Sequence, residues 1–113
     1  MPLRPARLTL IIAATLALSF PAAASDTSQL RKRGKVLLEQ NCGRCHAVGP
    51  TGRSPMARAT PMREIYVKFL PRELQAELAE GMVSRHRQMP QIDFRDEDVD
   101  AILAYLYALA VRK

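Results

Sequence analysis

Cys42 and Cys45 are the only cysteines in the chain; they stand three residues apart, and His46 follows directly. A pair so close in sequence cannot tie distant segments together. Small exported domains commonly need several disulfides or a bound group to supplement a limited core. The chain has two histidines and two cysteines in all, and three of these four residues fall in the stretch NCGRCH. Either that cluster grips a bound group, or it is a disulfide or metal knot with a neighbouring imidazole.

The chain begins as an exported protein does. In MPLRPARLTLIIAATLALSFPAAAS, Arg4 and Arg7 give a positive start, Leu8 to Phe20 an apolar run, and Ala22 to Ala24 small residues suited to cleavage. The run is shorter than the about 20 residues that span a bilayer, and Pro21 interrupts its end. The reading is a signal peptide over residues 1–24 and one domain over 25–113, with a retained membrane anchor as the alternative.

Removing 24 of 113 residues leaves 89, a single small domain with a thin stability margin. It also takes two of the 17 basic side chains, leaving 15 against 11 acidic ones, a net charge of +4. A basic domain outside the cytoplasm is not expected to act on nucleic acid. Acidic patches on other proteins are the expected partners, with transient contact to an anionic membrane surface as a second one.

No stretch alternates with period two, whereas several follow the helical period. After a short polar tether, Ser25 to Ser28, the segment QLRKRGKVLLEQ sets Leu30, Gly34, Leu37 and Leu38 on one helix face, with Asp26, Thr27 and Ser28 as candidate caps. Arg31, Lys32 and Arg33 then fall in a first turn whose dipole disfavours cations, and read as a solvated charge run. Residues 47–61 hold two glycines and three prolines and form a loop. Met62 to Leu70 is a turn of helix or an irregular segment.

Pro71 opens a helix that carries Leu74 and Leu78 one turn apart and stops at Gly81. A second loop, MVSRHRQMPQIDF, follows. The strongest helical signal is DEDVDAILAYLYALAVRK: acidic residues crowd its first turn, Arg112 and Lys113 close it, and Val99, Ile102, Leu103 and Leu106 make one stripe beside Tyr105. The fold class is all-α, with three to five helices.

Four chemistries could use C-x-x-C-H. A thioredoxin-like dithiol needs a βαβ setting, which the pattern lacks. A zinc site would recruit Cys42, Cys45 and His86 or His46, but His46 is poorly placed to share a tetrahedral centre with Cys45. A plain disulfide explains neither His46 nor the loops. Covalent haem attachment accounts for all three residues. Cys42 and Cys45 on one face of a turn would form thioethers, and His46 would ligate the iron. For the second axial position Met89 is the candidate, in a loop and held by Pro90, with His86 as its rival.

With those residues in place, the sequence resembles the small single-haem class I c-type cytochromes from Gln29 to Leu109. NCGRCHAVG, RHRQMPQIDF and VDAILAYLYAL carry the likeness. The resemblance implies the cytochrome c fold around one covalently attached haem c, with the two terminal helices crossing at Gly34, Leu38, Ile102, Tyr105 and Leu106. It implies an electron carrier, not an enzyme, working in the periplasm with redox partners such as a dehydrogenase or terminal oxidase. A relay subunit of a periplasmic or membrane-associated complex is the alternative, and a haem sensor or enzyme with a labile sixth ligand a third.

Many relatives read His-Pro-x-Met-Pro where this chain has Arg87 after His86, one backbone constraint fewer. The family also uses a loop carbonyl to orient the proximal imidazole, for which Pro50 and Pro55 are candidates. Ile65, Phe69, Leu70, Leu74, Leu78, Ile92, Phe94, Leu103 and Leu106 are expected to line the haem pocket. Arg53, Arg58 and Arg63 on one side, and Arg85 and Arg87 on the other, are expected to meet propionates or an acidic partner.

Overall fold

A computed structural model describes residues 1, 22–81 and 90–112. Among them are four helices and no strand: α1 (Ala22–Cys42), α2 (Met62–Lys68), α3 (Pro71–Ala79) and α4 (Asp96–Ala110). The all-α expectation holds. Most of the apolar run at the start, Lys113, and the segment 82–89 with Arg85, His86, Arg87 and Met89 lie outside the described residues.

The boundaries differ from expectation at both ends. Helix α1 already runs from Ala22, so the tether Ser25–Ser28 is helical, and Asp26, Thr27 and Ser28 sit inside the helix instead of capping it. Alanine is the best helix former, and no proline or glycine interrupts the run from Ala22 to Arg33. Arg31 to Arg33 are therefore mid-helix, away from the unfavourable end of the dipole. Residues 62–68 form a regular helix, and α3 opens at Pro71. Gly81 follows α3 with a φ of +70°, the left-handed conformation that suits a helix stop. Helix α4 ends at Ala110, which leaves Arg112 beyond its last turn.

The core is built where α1 crosses α4. Gly34 lies directly on the α4 backbone: a Cβ there would collide with the carbonyl oxygen of Ala101 and come within 2.5 Å of its carbonyl carbon. Any side chain at position 34 would hold the helices apart. Around this contact Leu38, Ile102, Tyr105 and Leu106 are all buried, so the expected crossing is present with each of its residues. Met62 from α2, and Leu74 and Leu78 from α3, join the same cluster. Burying side chains of this size contributes roughly 1.5–3 kcal/mol each, enough to hold three helices on α4.

A polar clasp stands beside the crossing. Asp98, only 8 % exposed in the first turn of α4, accepts a hydrogen bond from Arg33 Nη2 at 2.5 Å and another from Arg95 Nε at 3.2 Å. Burial by itself would push the Asp98 carboxyl up, but the two guanidinium donors outweigh it and hold the group below the usual 3.8. Arg33 is thus not part of a purely solvated charge run. Among the described residues no helix is long and apolar enough to cross a membrane.

Two substitutions test this packing. Gly34→Val should destabilise the protein by about 1–3 kcal/mol in denaturant melts, through overpacking. Gly49→Ala should change little, since a Cβ there meets nothing nearer than 4.0 Å. The Asp98 clasp contributes its stability above the ordinary carboxyl value and loses it as pH falls through the lowered folded value. Asp98→Asn should therefore lower the melting temperature at neutral pH, and the gap to wild type should close on acidification.

Candidate functional site

Cys42 is the last residue of α1, but the helical turn continues beyond it. The amides of Cys45 and His46 both donate to the Cys42 carbonyl, at 3.1 and 2.9 Å. Residues three and four apart on such a turn share a face. Cys42, Cys45 and His46 are brought together as the spacing predicts. Both thiols are unpaired and half-buried.

The loop 47–61 folds back over this turn. Met56 N donates to Cys45 O at 3.1 Å and Met62 N to Ala47 O at 2.9 Å, while Ala47 N donates to Ser54 Oγ at 3.0 Å. The Tyr105 hydroxyl donates to Val48 O at 2.9 Å, tying α4 to the same loop. Burial, and to a lesser degree Glu39, push the Tyr105 phenol above its usual value, so it stays a donor at neutral pH.

The imidazole of His46 is oriented by the loop. Its Nδ1 lies 2.6 Å from Thr60 O. A carbonyl can only accept, so Nδ1 carries the proton and Nε2 keeps its lone pair for a metal. Pro50 and Pro55, the expected partners, are both exposed, and neither receives this bond. Thr60 wins because Pro61 disfavours a helical backbone at the residue before it, and the Met62–Ala47 bond draws that stretch against the histidine. The one signal for Thr60 in the sequence is that it precedes a proline.

The rival chemistries fare poorly. Burial first, and the neighbouring Cys45 second, push the Cys42 thiol up to about 11. A redox dithiol needs the reverse, a stabilised thiolate. Among the described residues, which do not include His86, no three His, Cys, Asp or Glu side chains gather as a metal site. The surroundings suit a flat apolar group instead. Cys42 itself lies at the edge of the core with Leu37, Ile65, Phe69, Phe94 and Leu103, all incompletely covered.

Of the other expected pocket residues, Leu74, Leu78 and Leu106 are fully in the core and Ile92 is half-buried. Leu70 is 62 % exposed, a correction: as the N-cap of α3 its extended backbone turns it outward. Met89 and His86 fall in the segment outside the described residues. The arginines do not form one group. Arg53 borders a shallow depression beside His46, whereas Arg63 lies on α2 in a separate cleft with Pro50 and Arg112.

The family model described as cytochrome C oxidase, cbb3-type, subunit III matches residues 29–106. The chain belongs to this family of c-type cytochromes. No curated protein and no solved structure matches it. The match begins seven residues into α1 and ends within α4, so it takes in the helix crossing, the C-x-x-C-H turn and the loop over it.

A c-type cytochrome carries covalently bound haem c and transfers electrons with redox partner proteins. The donor set fits that cofactor: two thiols and a correctly protonated imidazole share one turn at an apolar edge. Because Tyr105 holds the loop over that turn in the cytochrome, Tyr105→Phe would leave the Val48 carbonyl buried without its donor. The expected loss is about 1–3 kcal/mol in denaturant unfolding of the haem-loaded protein.

Proposed function

We propose that this cytochrome is an exported single-electron carrier of the periplasm, with one haem tethered through Cys42 and Cys45 and ligated by His46 and Met89. Residues 1–24 are its signal peptide and 25–113 its working domain. The observation that carries the reading is the His46–Thr60 hydrogen bond, which leaves Nε2 unprotonated and directed by a fixed tautomer. The haem, when bound, supplies a one-electron iron couple whose potential its axial ligands set.

The chain's own residues do the rest. Cys42 and Cys45 would anchor the group to the end of α1. Thr60 holds the His46 ring still, so that ligation costs little reorganisation. Leu74, Leu78 and Leu106, with Phe69 and Phe94 at the edge, exclude water from the apolar side. Met89, which precedes Pro90 in the sequence, would provide a soft neutral ligand that favours the reduced state. With His46 and Met89 both committed to the iron, no substrate would reach it, and the protein would serve as a carrier instead of an enzyme.

A second reading, a haem-bearing subunit of a larger respiratory or dehydrogenase complex, is favoured by one observation. Val67, Leu70, Tyr107 and Val111 are large apolar side chains left exposed on the described surface. Co-purification in a fixed ratio with such a complex would select it.

Absorption spectra of the exported protein in both oxidation states, a pyridine haemochrome test and an intact mass check the assignment. The expected mass is that of residues 25–113 plus one haem. The ferric protein should show the weak iron–methionine charge-transfer band, and the ferrous protein should not bind carbon monoxide. Met89→Ala should lose the band and gain carbon monoxide binding; the same change caused by His86→Ala instead would assign the ligand to His86. A colourless product from cells able to attach haem would end the reading. Electron transfer to an acidic partner should slow steeply with added salt, and a flat response would exclude steering.

A further inference from the structure

A cleft of about 320 Å³ lies between α2, the carboxyl end of α4 and the loop at Pro50. Its floor is apolar, from Pro50, Val67, Leu109 and Ala110. Its rim is basic. Arg63, Lys68 and Arg112 face a single carboxylate, Glu64, which Lys68 Nζ already engages at 3.2 Å, so these four groups sum to +2. Arg63 Nη1 is buried and has no hydrogen-bond partner among the described residues. A buried charged donor without an acceptor is costly, and native proteins rarely tolerate one without a use for it.

Two roles could gather cations here. They could simply complement the carbonyl end of α4. In that case Arg63 would donate to a terminal carbonyl, and its Nη1 donates to nothing described. We infer that the cleft is a docking site for a partner protein, taking a carboxylate side chain flanked by apolar residues. Arg63 would bind the carboxylate with its planar donor fork, and Lys68 and Arg112 would add attraction.

The apolar surroundings favour a protein over a bare anion or a lipid headgroup. Val67, which lines the cleft, is 65 % exposed, and on the same two helices Tyr107, 55 % exposed, is braced edge-on by Tyr66 with ring centres 5.8 Å apart. Exposed aromatic side chains and arginine are both enriched at protein interfaces, and α2 and α4 present both on this side through Tyr107 and the half-buried Arg63. This inference names where the acidic partner of the proposed carrier binds, and for that partner's identity it rests on the carrier reading. The binding itself requires no electron transfer.

The test is nuclear magnetic resonance titration of the labelled, haem-loaded ferric protein with a capped hexapeptide of alternating glutamate and leucine. The amides of Val67, Leu109 and Ala110 and the Arg63 side-chain N–H should shift saturably. The glutamine counterpart of the peptide should leave them in place. Arg63→Gln should weaken binding about tenfold, the loss of one charge-assisted hydrogen-bonded contact. Arg72→Gln, with the same charge change at an exposed position of α3 outside the cleft, should stay within about twofold of wild type. Val67→Asp, at an exposed position that the core does not need, should also weaken binding and guards against a folding defect in Arg63→Gln.

Equal losses from Arg72→Gln and Arg63→Gln, or equal shifts with the glutamine peptide, would overturn the inference. So would shifts at these amides with phosphatidylglycerol vesicles and none with the peptide. The visible spectrum of the same samples reports the haem and its ligands, so a failure of the carrier reading would be seen separately from a failure to bind.

Discussion

The rest of the structure depends on the backbone contact between Gly34 and Ala101. Because position 34 has no side chain, α1 can rest against the α4 main chain, and the apolar stripes of both helices close around that point. Leu38, Ile102 and Leu106 are then sealed from water. The end of α1, where the cysteines lie, is set at a fixed place relative to Tyr105. A wider crossing would carry the Tyr105 hydroxyl away from Val48 and release the loop that covers the site. One absent methyl group thus acts over several turns, because close-packed helices transmit a displacement instead of absorbing it.

The site makes the same point with hydrogen bonds. Its three reactive residues are adjacent in sequence, so placing them on one turn needs only local helix geometry. Their environment needs a loop of fifteen residues to come back over them, which four bonds secure: Met56 to Cys45, Ala47 to Ser54, Met62 to Ala47, and His46 to Thr60. The last decides the chemistry, since it selects which imidazole nitrogen keeps a lone pair. The family match over residues 29–106 covers both the helix crossing and this loop, the two parts that a haem held by α1 requires.

Charge is distributed with similar economy. Arg33 serves α4 by holding Asp98, and Lys68 serves its own helix by holding Glu64. Arg63 stands out among the basic residues of the described protein because its Nη1 is buried and has no acceptor. Net positive charge alone attracts acidic partners from a distance, whereas a guanidinium in an apolar cleft can also tell one orientation from another.

How much of this could be read from the chain follows from the range of each interaction. Helix periods, the proline opening α3, the glycine ending it and the C-x-x-C-H turn are local properties, and all were legible. The crossing of Gly34 with Tyr105's helix was legible too, through the resemblance and through two apolar stripes that each needed a partner. Four features were not. Helix α1 begins earlier than the polar residues suggested, Arg33 leaves its charge run to reach an aspartate 65 positions away, and Leu70 turns out to solvent. The carbonyl that orients His46 was also misplaced, at Pro50 or Pro55 instead of Thr60. Every residue offers the same backbone oxygen, so nothing in the letters marks the one that is used. By itself the sequence determined the helices and the C-x-x-C-H turn that brings Cys42, Cys45 and His46 together, because those depend on neighbours a turn apart. Only the tertiary structure decided which distant groups would face them, because that depends on how close two backbones can come.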